Sequence, residues 1–227
     1  MTAPEVELRA AWHRLSGAPT VARPDHRPSD AFESLLARLR EPHRHYHTAT
    51  HVMWVLRHAD DILRHPSCAA LDADAVRLAA LWHDAVYDPT AVDNEAVSAR
   101  LAHEVALSLG WDAARAALVE ALVRSTEPGT SRTPHADGAA HGAVDEFDVL
   151  HDADLAILGS EPAQYQAYVN AVRREYAHVS DDDWRRGRPA VLRSILATRP
   201  LFRTAAMATR TARAEANLAA ELASLEH

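Results

Sequence analysis

Residues 78–89 read LAALWHDAVYDP. The run from Leu78 to Trp82 is apolar and helix-forming. It delivers His83 and Asp84 side by side, with Asp88 one turn further on. A helix that packs in a core has no packing reason to carry an imidazole and two carboxylates. Unpaired carboxylates are costly to bury, so such groups are normally paired or bound to metal. The stretch therefore predicts a buried helix whose polar end meets ligands from elsewhere in the chain. The doublet alone is weak evidence. With 15 His and 18 Asp in 227 residues, about one His-Asp pair is expected by chance. Two occur, at His83-Asp84 and His151-Asp152, so the weight must come from context.

Working outward, the chain is rich in Ala and Leu, holds only 7 Gly and has few β-branched runs, which favours helix nearly throughout. Leu8, Trp12 and Leu15 share one face of a helix over 6–15. Phe32, Leu35, Leu36 and Leu39 mark a second helix, capped by Ser29 or Asp30 and running to about Arg40. Pro42 ends it, and EPHRHYHTATH (41–51) follows. Thr48 is a candidate N-cap for a helix reaching about His65 through Val52, Val55, Leu56, Ala59 and Ile62. His47 and His51 share a face if the first turn includes His47.

A helix starting near Asp72 carries the doublet and ends near Tyr87-Asp88-Pro89. Helices follow from Asp93 to Gly110, a left-handed cap, and from Asp112 through Val123. Glu127 to Gly142 reads as a loop. Further helices cover 144–158, with Asp152 and Asp154, 161–178, with Tyr165, Tyr168, Val172 and Tyr176, and 181 to Pro200, with Trp184, Val191, Ile195 and Leu196. An Ala-rich helix covers 205–225. The expectation is one all-α domain over 1–227, a helical bundle with its core at about 30–200.

Bulk properties exclude several functions. The net charge is −8 with no basic tract, which argues against DNA, RNA or anionic-membrane binding. All 24 basic residues are Arg, so Schiff-base lysine chemistry and P-loop phosphate binding are absent. Cys68 is the single cysteine, which fits a free thiol in a reducing compartment. No N-terminal export signal is visible, and no apolar run nears the ~18 residues of a membrane span. The expected location is the cytoplasm.

The chemical candidates are His51, His83, Asp84 and Asp154, two imidazoles and two carboxylates from three helices. This mixed N/O set lacks the thiolates of structural zinc sites. It suits one divalent ion, Mn, Fe, Co, Ni or Mg, and admits Zn. A metal so held acidifies its water and neutralises charge developing on a phosphoryl group.

Four stretches carry a family resemblance: EPHRHYHTATHV (41–52), LWHDAVYDPTAVDNEAVSA (81–99), LHDADLAILG (150–159) and VRREYAHVSDDDWRRGRPAVL (172–192). In that order they resemble the HD superfamily of metal-dependent phosphohydrolases, and a bacterial group within it. The resemblance implies an HD-type helical bundle, with metal ligands at His51, His83, Asp84 and Asp154. Asp154 is preferred over Asp152 because it directly precedes Leu155. It implies that Asp84 or Asp88 handles the attacking water, and that Arg44, His47 and Glu95 bind substrate. Arg173, Arg174, Arg186 and Arg188 are further phosphate candidates. The implied activity is hydrolysis of a small phosphate ester, such as a nucleotide, by metal-activated water. One departure stands out: Thr126 is followed by Glu127 and Pro128 where the bacterial group has a His, which favours one metal over two. A di-iron oxygenase of the same type, and a non-catalytic metal- or nucleotide-binding protein, are the alternatives. The Tyr-rich helix at 164–176 would serve internal packing or a homodimer.

Overall fold

The computed structural model describes residues 2–17, 28–128 and 144–226. The connection read after Gly17 and the Gly/Pro-rich stretch beyond Pro128, with His26, His135 and His141, lie outside the described residues. Every regular element among those described is helical: α1 (Ala3–Ser16), α2 (Pro28–Leu39), α3 (Ala49–Leu63), α4 (Ala73–Trp82), α5 (Asn94–Ser108), α6 (Ala113–Arg124), α7 (Glu146–Asp154), α8 (Pro162–Glu175), α9 (Asp181–Ala197), α10 (Ala205–Ala208) and α11 (Thr211–Leu225). Single 3-10 segments lie at Pro66–Cys68 and Leu155–Gly159. No helix among the described residues is long and apolar enough to cross a membrane.

Side-chain caps start several of these helices. Asp72 accepts from the amide of Ala75 at 3.0 Å and Asp112 from that of Arg115 at 2.8 Å. Asp145 and Asp148 form a capping box at the start of α7. The guanidinium of Arg115 also grips Asp72 with two contacts of 2.6 Å, which ties the starts of α4 and α6 together. Gly110 ends α5 with φ +83°, the left-handed geometry expected from its place in the sequence.

Helices α3, α4 and α7 pack on one another. Val52, Ala59 and Ile62 of α3, Val76, Leu78, Ala79 and Leu81 of α4 and Val149 and Leu150 of α7 are all buried in one apolar cluster. Trp12 of α1 stacks on Phe32 of α2 at 5.6 Å and lies 5.1 Å from Trp82, so α1 and α2 close one side of α4. The apolar core is one continuous cluster running from Leu8 to Leu218. Single burials of this kind contribute about 1.5–3 kcal/mol each.

Local boundaries differ from the periodicity in places that matter. Helix α4 stops at Trp82 with His83 as its C-cap, so Asp84 stands in the following turn. Helix α3 begins at Ala49 with Thr48 as N-cap, so His47 lies outside it and does not share a helical face with His51. The final helix is split, because the chain turns at Thr209 and Arg210. In α9 the residue that enters the core is Leu192, whereas Val191 is 48% exposed.

Asp152 is fully buried, and it is built into the fold rather than into the ligand set. Its carboxylate accepts from the amides of Arg203 (2.9 and 3.0 Å) and Thr204 (2.7 Å) and from the Thr204 hydroxyl (2.7 Å). It thereby fixes the chain that leads into α10 against α7. Replacing Asp152 by Ala strands these buried donors, and hydrogen bonds to a charged group contribute about 1.5–3 kcal/mol each. Chemical denaturation of Asp152→Ala is expected to show a loss of at least about 2 kcal/mol. An unchanged midpoint would show that this carboxylate does not hold the C-terminal helices.

Candidate metal centre

Three helices deliver the candidate ligands to one place. His51 comes from the first turn of α3, His83 caps α4, and Asp154 ends α7. Their mutual packing brings Nε2 of His51 within 3.1 Å of Nε2 of His83 and 3.2 Å of Oδ1 of Asp154. His83 Nε2 lies 3.5 Å from the same Asp154 oxygen. Oδ2 of Asp84 is 3.2 Å from His51 Nε2 and 3.1 Å from His83 Nε2. His51, His83 and Asp154 form a group that can hold a metal ion, and Asp84 adjoins it.

The donor chemistry fits a cation. His83 Nδ1 lies 2.9 Å from the carbonyl of Ala80, which only accepts, so Nδ1 carries a proton. Neutral His83 then turns a lone pair at Nε2 toward the His51 nitrogen and two carboxylates. The Asp84 Oδ2 is buried and has no hydrogen-bond partner among the described residues. Lone pairs converging at these distances repel one another unless a proton or a metal ion lies among them. The electrostatics agree. Burial pushes both imidazoles down, but Asp84 and Asp154 outweigh it and raise His51, and raise His83 further. Burial likewise pushes Asp84 and Asp154 up, yet His83 and His51, joined at Asp84 by His47, hold both carboxyls well below the usual range.

The ligands are oriented by the segment at 41–48. Glu175, at the end of α8, accepts the consecutive amides of His45, Tyr46 and His47 on Oε1 at 2.7, 2.7 and 3.0 Å. Its Oε2 takes His47 Nδ1 at 2.7 Å and the Tyr87 hydroxyl at 3.1 Å. The His47 ring stacks on Tyr87 at 4.0 Å and meets the His51 ring edge-on at 5.6 Å. Tyr46 lies 4.6 Å from the His51 ring and 4.7 Å from Tyr168. Burial, with Tyr168 and the acids beside it, pushes the Tyr46 hydroxyl well up, so it stays a neutral donor.

The other expected residues divide sharply. Arg44 does not face a phosphate: its side chain is fully buried and donates to the carbonyls of His47 (3.1 Å), Asp84 (2.7 Å) and Ala85 (3.1 Å) and to Glu41 (3.0 Å). It braces the ligand turn from behind. Asp88 does not join the ligands either. It is exposed, and its Oδ1 is taken by the amide and hydroxyl of Thr90 at 2.8 and 2.7 Å. The short spacing from Asp84 to Asp88 would bring them together on a helix, but the helix ends at Trp82. Glu95 is half-buried at the start of α5. Burial raises its carboxyl, and Asp84 and Glu127 push it further up. Arg173 is bound to Asp181 and to the carbonyls of Tyr176 and Val179, Arg186 to Asp183, and Arg188 to the buried Glu221. Arg174 alone of these four makes no ion pair among the described residues.

Glu175 and Tyr46 escape a reading of ligand types. The signal for Glu175 was present all the same: it continues the buried stripe Tyr165, Tyr168, Val172 at helical spacing. An acid on an apolar stripe needs a partner.

Burial raises the Glu175 carboxyl, but His47 and the three amides outweigh it and hold it at about 2. Because the folded value lies below the ordinary 4.5, its stabilisation is complete above that pH. It is lost as pH falls from about 4.5 toward 2. Glu175→Gln is therefore expected to cost about 2 kcal/mol at neutral pH and to narrow its deficit against wild type below pH ~4. Urea midpoints measured across this range test it. Parallel acid limbs for the two proteins would refute the assignment.

Compared with protein-family models, with curated proteins and with solved structures, the chain finds no match, so the chemistry of the site is read from its own residues.

Proposed function

We propose that the protein is a metal-dependent phosphohydrolase of the HD type, acting on a small phosphate ester such as a nucleotide. The observation that carries this reading is the convergence of His51, His83, Asp84 and Asp154, with a buried Asp84 oxygen left without a hydrogen bond among the described residues. The resemblance of the four sequence stretches to HD phosphohydrolases supports it.

In this reading the four side chains hold one divalent ion, which supplies Lewis-acid chemistry by acidifying water and neutralising charge at phosphorus. The remaining roles fall to the chain itself. Glu95 accepts a proton from water as the water oxygen bonds to phosphorus and the ester P–O bond breaks. Its raised pKa suits a general base better than that of Asp88, which Thr90 hydrogen bonds hold down. Tyr46, kept protonated, donates a hydrogen bond to a phosphoryl oxygen. His47 is held in one orientation by Glu175 and forms the wall against His51. The di-iron alternative needs further imidazoles. Among the described residues His103 is paired with Glu120 at 3.0 Å and does not join the ligand group.

Protein purified without chelator is expected to contain about one divalent ion per chain, and His83→Ala and Asp154→Ala to lose it. With Mn added, wild type should hydrolyse nucleoside monophosphates or p-nitrophenyl phosphate. Glu95→Gln should lower kcat by about 10²–10⁴-fold while keeping its metal. Asp88→Asn should stay within about 2-fold of wild type, since it touches none of the ligands. Wild type that binds metal tightly but turns over no phosphate ester would reduce the protein to a binding module. His83→Ala with wild-type activity would end the proposal.

A further inference from the structure

Away from the ligand atoms, Glu175 and Tyr87 line part of a cavity. It has a volume of about 500 Å³ and is lined by α2, the 41–48 segment, the turn at Tyr87–Pro89 and the end of α8. None of His51, His83, Asp84 or Asp154 lines it. We propose that this cavity is a binding site for a small phosphate-bearing anion, separate from the metal centre.

The cations argue for it. Arg38 enters from α2 and Arg174 from α8, with the imidazoles of His43, His45 and His178 between them. Most arginines of the chain are held in ion pairs, but Arg38 and Arg174 have none among the described residues. Both lie on the wall of one cavity, in a protein of net charge −8.

None of the acids of the same wall ion-pairs with either arginine among the described residues, although Asp88 and Glu175 keep their negative charge. Glu41 is taken by Arg44 at 3.0 Å, with His43 3.7 Å away. Asp88 is closed by Thr90 at 2.7 and 2.8 Å. Both oxygens of Glu175 are taken by the three amides, His47 and Tyr87. Two guanidinium groups from separate elements, neither held in an ion pair, line one cavity, and the planar fork of each can donate two hydrogen bonds to phosphate oxygens. The volume exceeds what one phosphate group needs and falls within the range of about 300–1,000 Å³ typical of small-molecule sites. The ligand class is therefore a pyrophosphate or a phosphorylated metabolite rather than a simple ion.

The assignment is independent of the catalytic reading, and its test uses the metal-free full-length chain, so that the metal centre contributes nothing to phosphate affinity. Chelator-treated protein is titrated with inorganic pyrophosphate by calorimetry at low salt. We expect one site per chain, at least 10-fold weaker binding in Arg38→Ala/Arg174→Ala, and unchanged binding in His83→Ala. Neither arginine holds an ion pair, so the double variant should keep the wild-type melting curve; Arg174→Glu alone provides a charge reversal if it does not. No binding by wild type, equal binding by the arginine variants, or loss of binding in His83→Ala would each overturn the proposal. The last result would place the anion at the metal centre.

Discussion

The buried carboxylate of Glu175 sets the geometry on which the rest of the site depends. A charge without solvent must find its hydrogen bonds inside the protein, and Glu175 finds five: three consecutive amides, one imidazole and one phenol. Those amides belong to the segment that enters α3. Fixing them determines where Thr48 caps the helix, and hence the rotation at which His51 emerges. Arg44 performs the complementary task with opposite charge. Its buried guanidinium collects the carbonyls of His47, Asp84 and Ala85, so the segment before α3 and the turn after α4 are held by one side chain. Neither group tolerates a vacancy, because breaking a buried charged contact leaves an uncompensated charge. The two therefore act as registers between elements far apart in sequence.

Around this frame the ligand cluster is held under electrostatic tension. Two imidazole nitrogens face each other at 3.1 Å with two carboxylates beside them. A core made only for stability would replace such a cluster by apolar side chains at little cost. The apolar packing of α3, α4 and α7 supports the cluster instead, and the tautomer of His83 is set by the Ala80 carbonyl so that Nε2 points inward. Preorganisation of this kind is what metal ligation needs: the ligands are already close, and an ion displaces the protons that the carboxylates otherwise hold on the imidazoles.

Glu175 and Tyr87 connect the metal centre to the cavity lined by Arg38 and Arg174, because both contact His47 and both line that cavity. A ligand at either place bears on the same pair of side chains, because Tyr87 stacks on His47 and shares Glu175 with it.

Helix content, the inward faces of α2 and α3, the caps at Asp72 and Asp112, and the ligand candidates His51 and His83 were legible from the sequence alone. Each depends on local spacing or on the intrinsic chemistry of one residue. The roles of Arg44, Asp88 and Glu175 were not. Arg44 reads as a phosphate ligand until the carbonyls that occupy it come from 40 residues away. Asp88 reads as a neighbour of Asp84 until α4 stops at Trp82. Asp152 and Asp154 have the same side chain and are two residues apart, and only the packing of α7 decides which one meets the imidazoles and which one holds Thr204. Residue type and period determine which groups are available for chemistry. Which partners they meet is settled by contacts between distant segments, and burial makes those contacts obligatory.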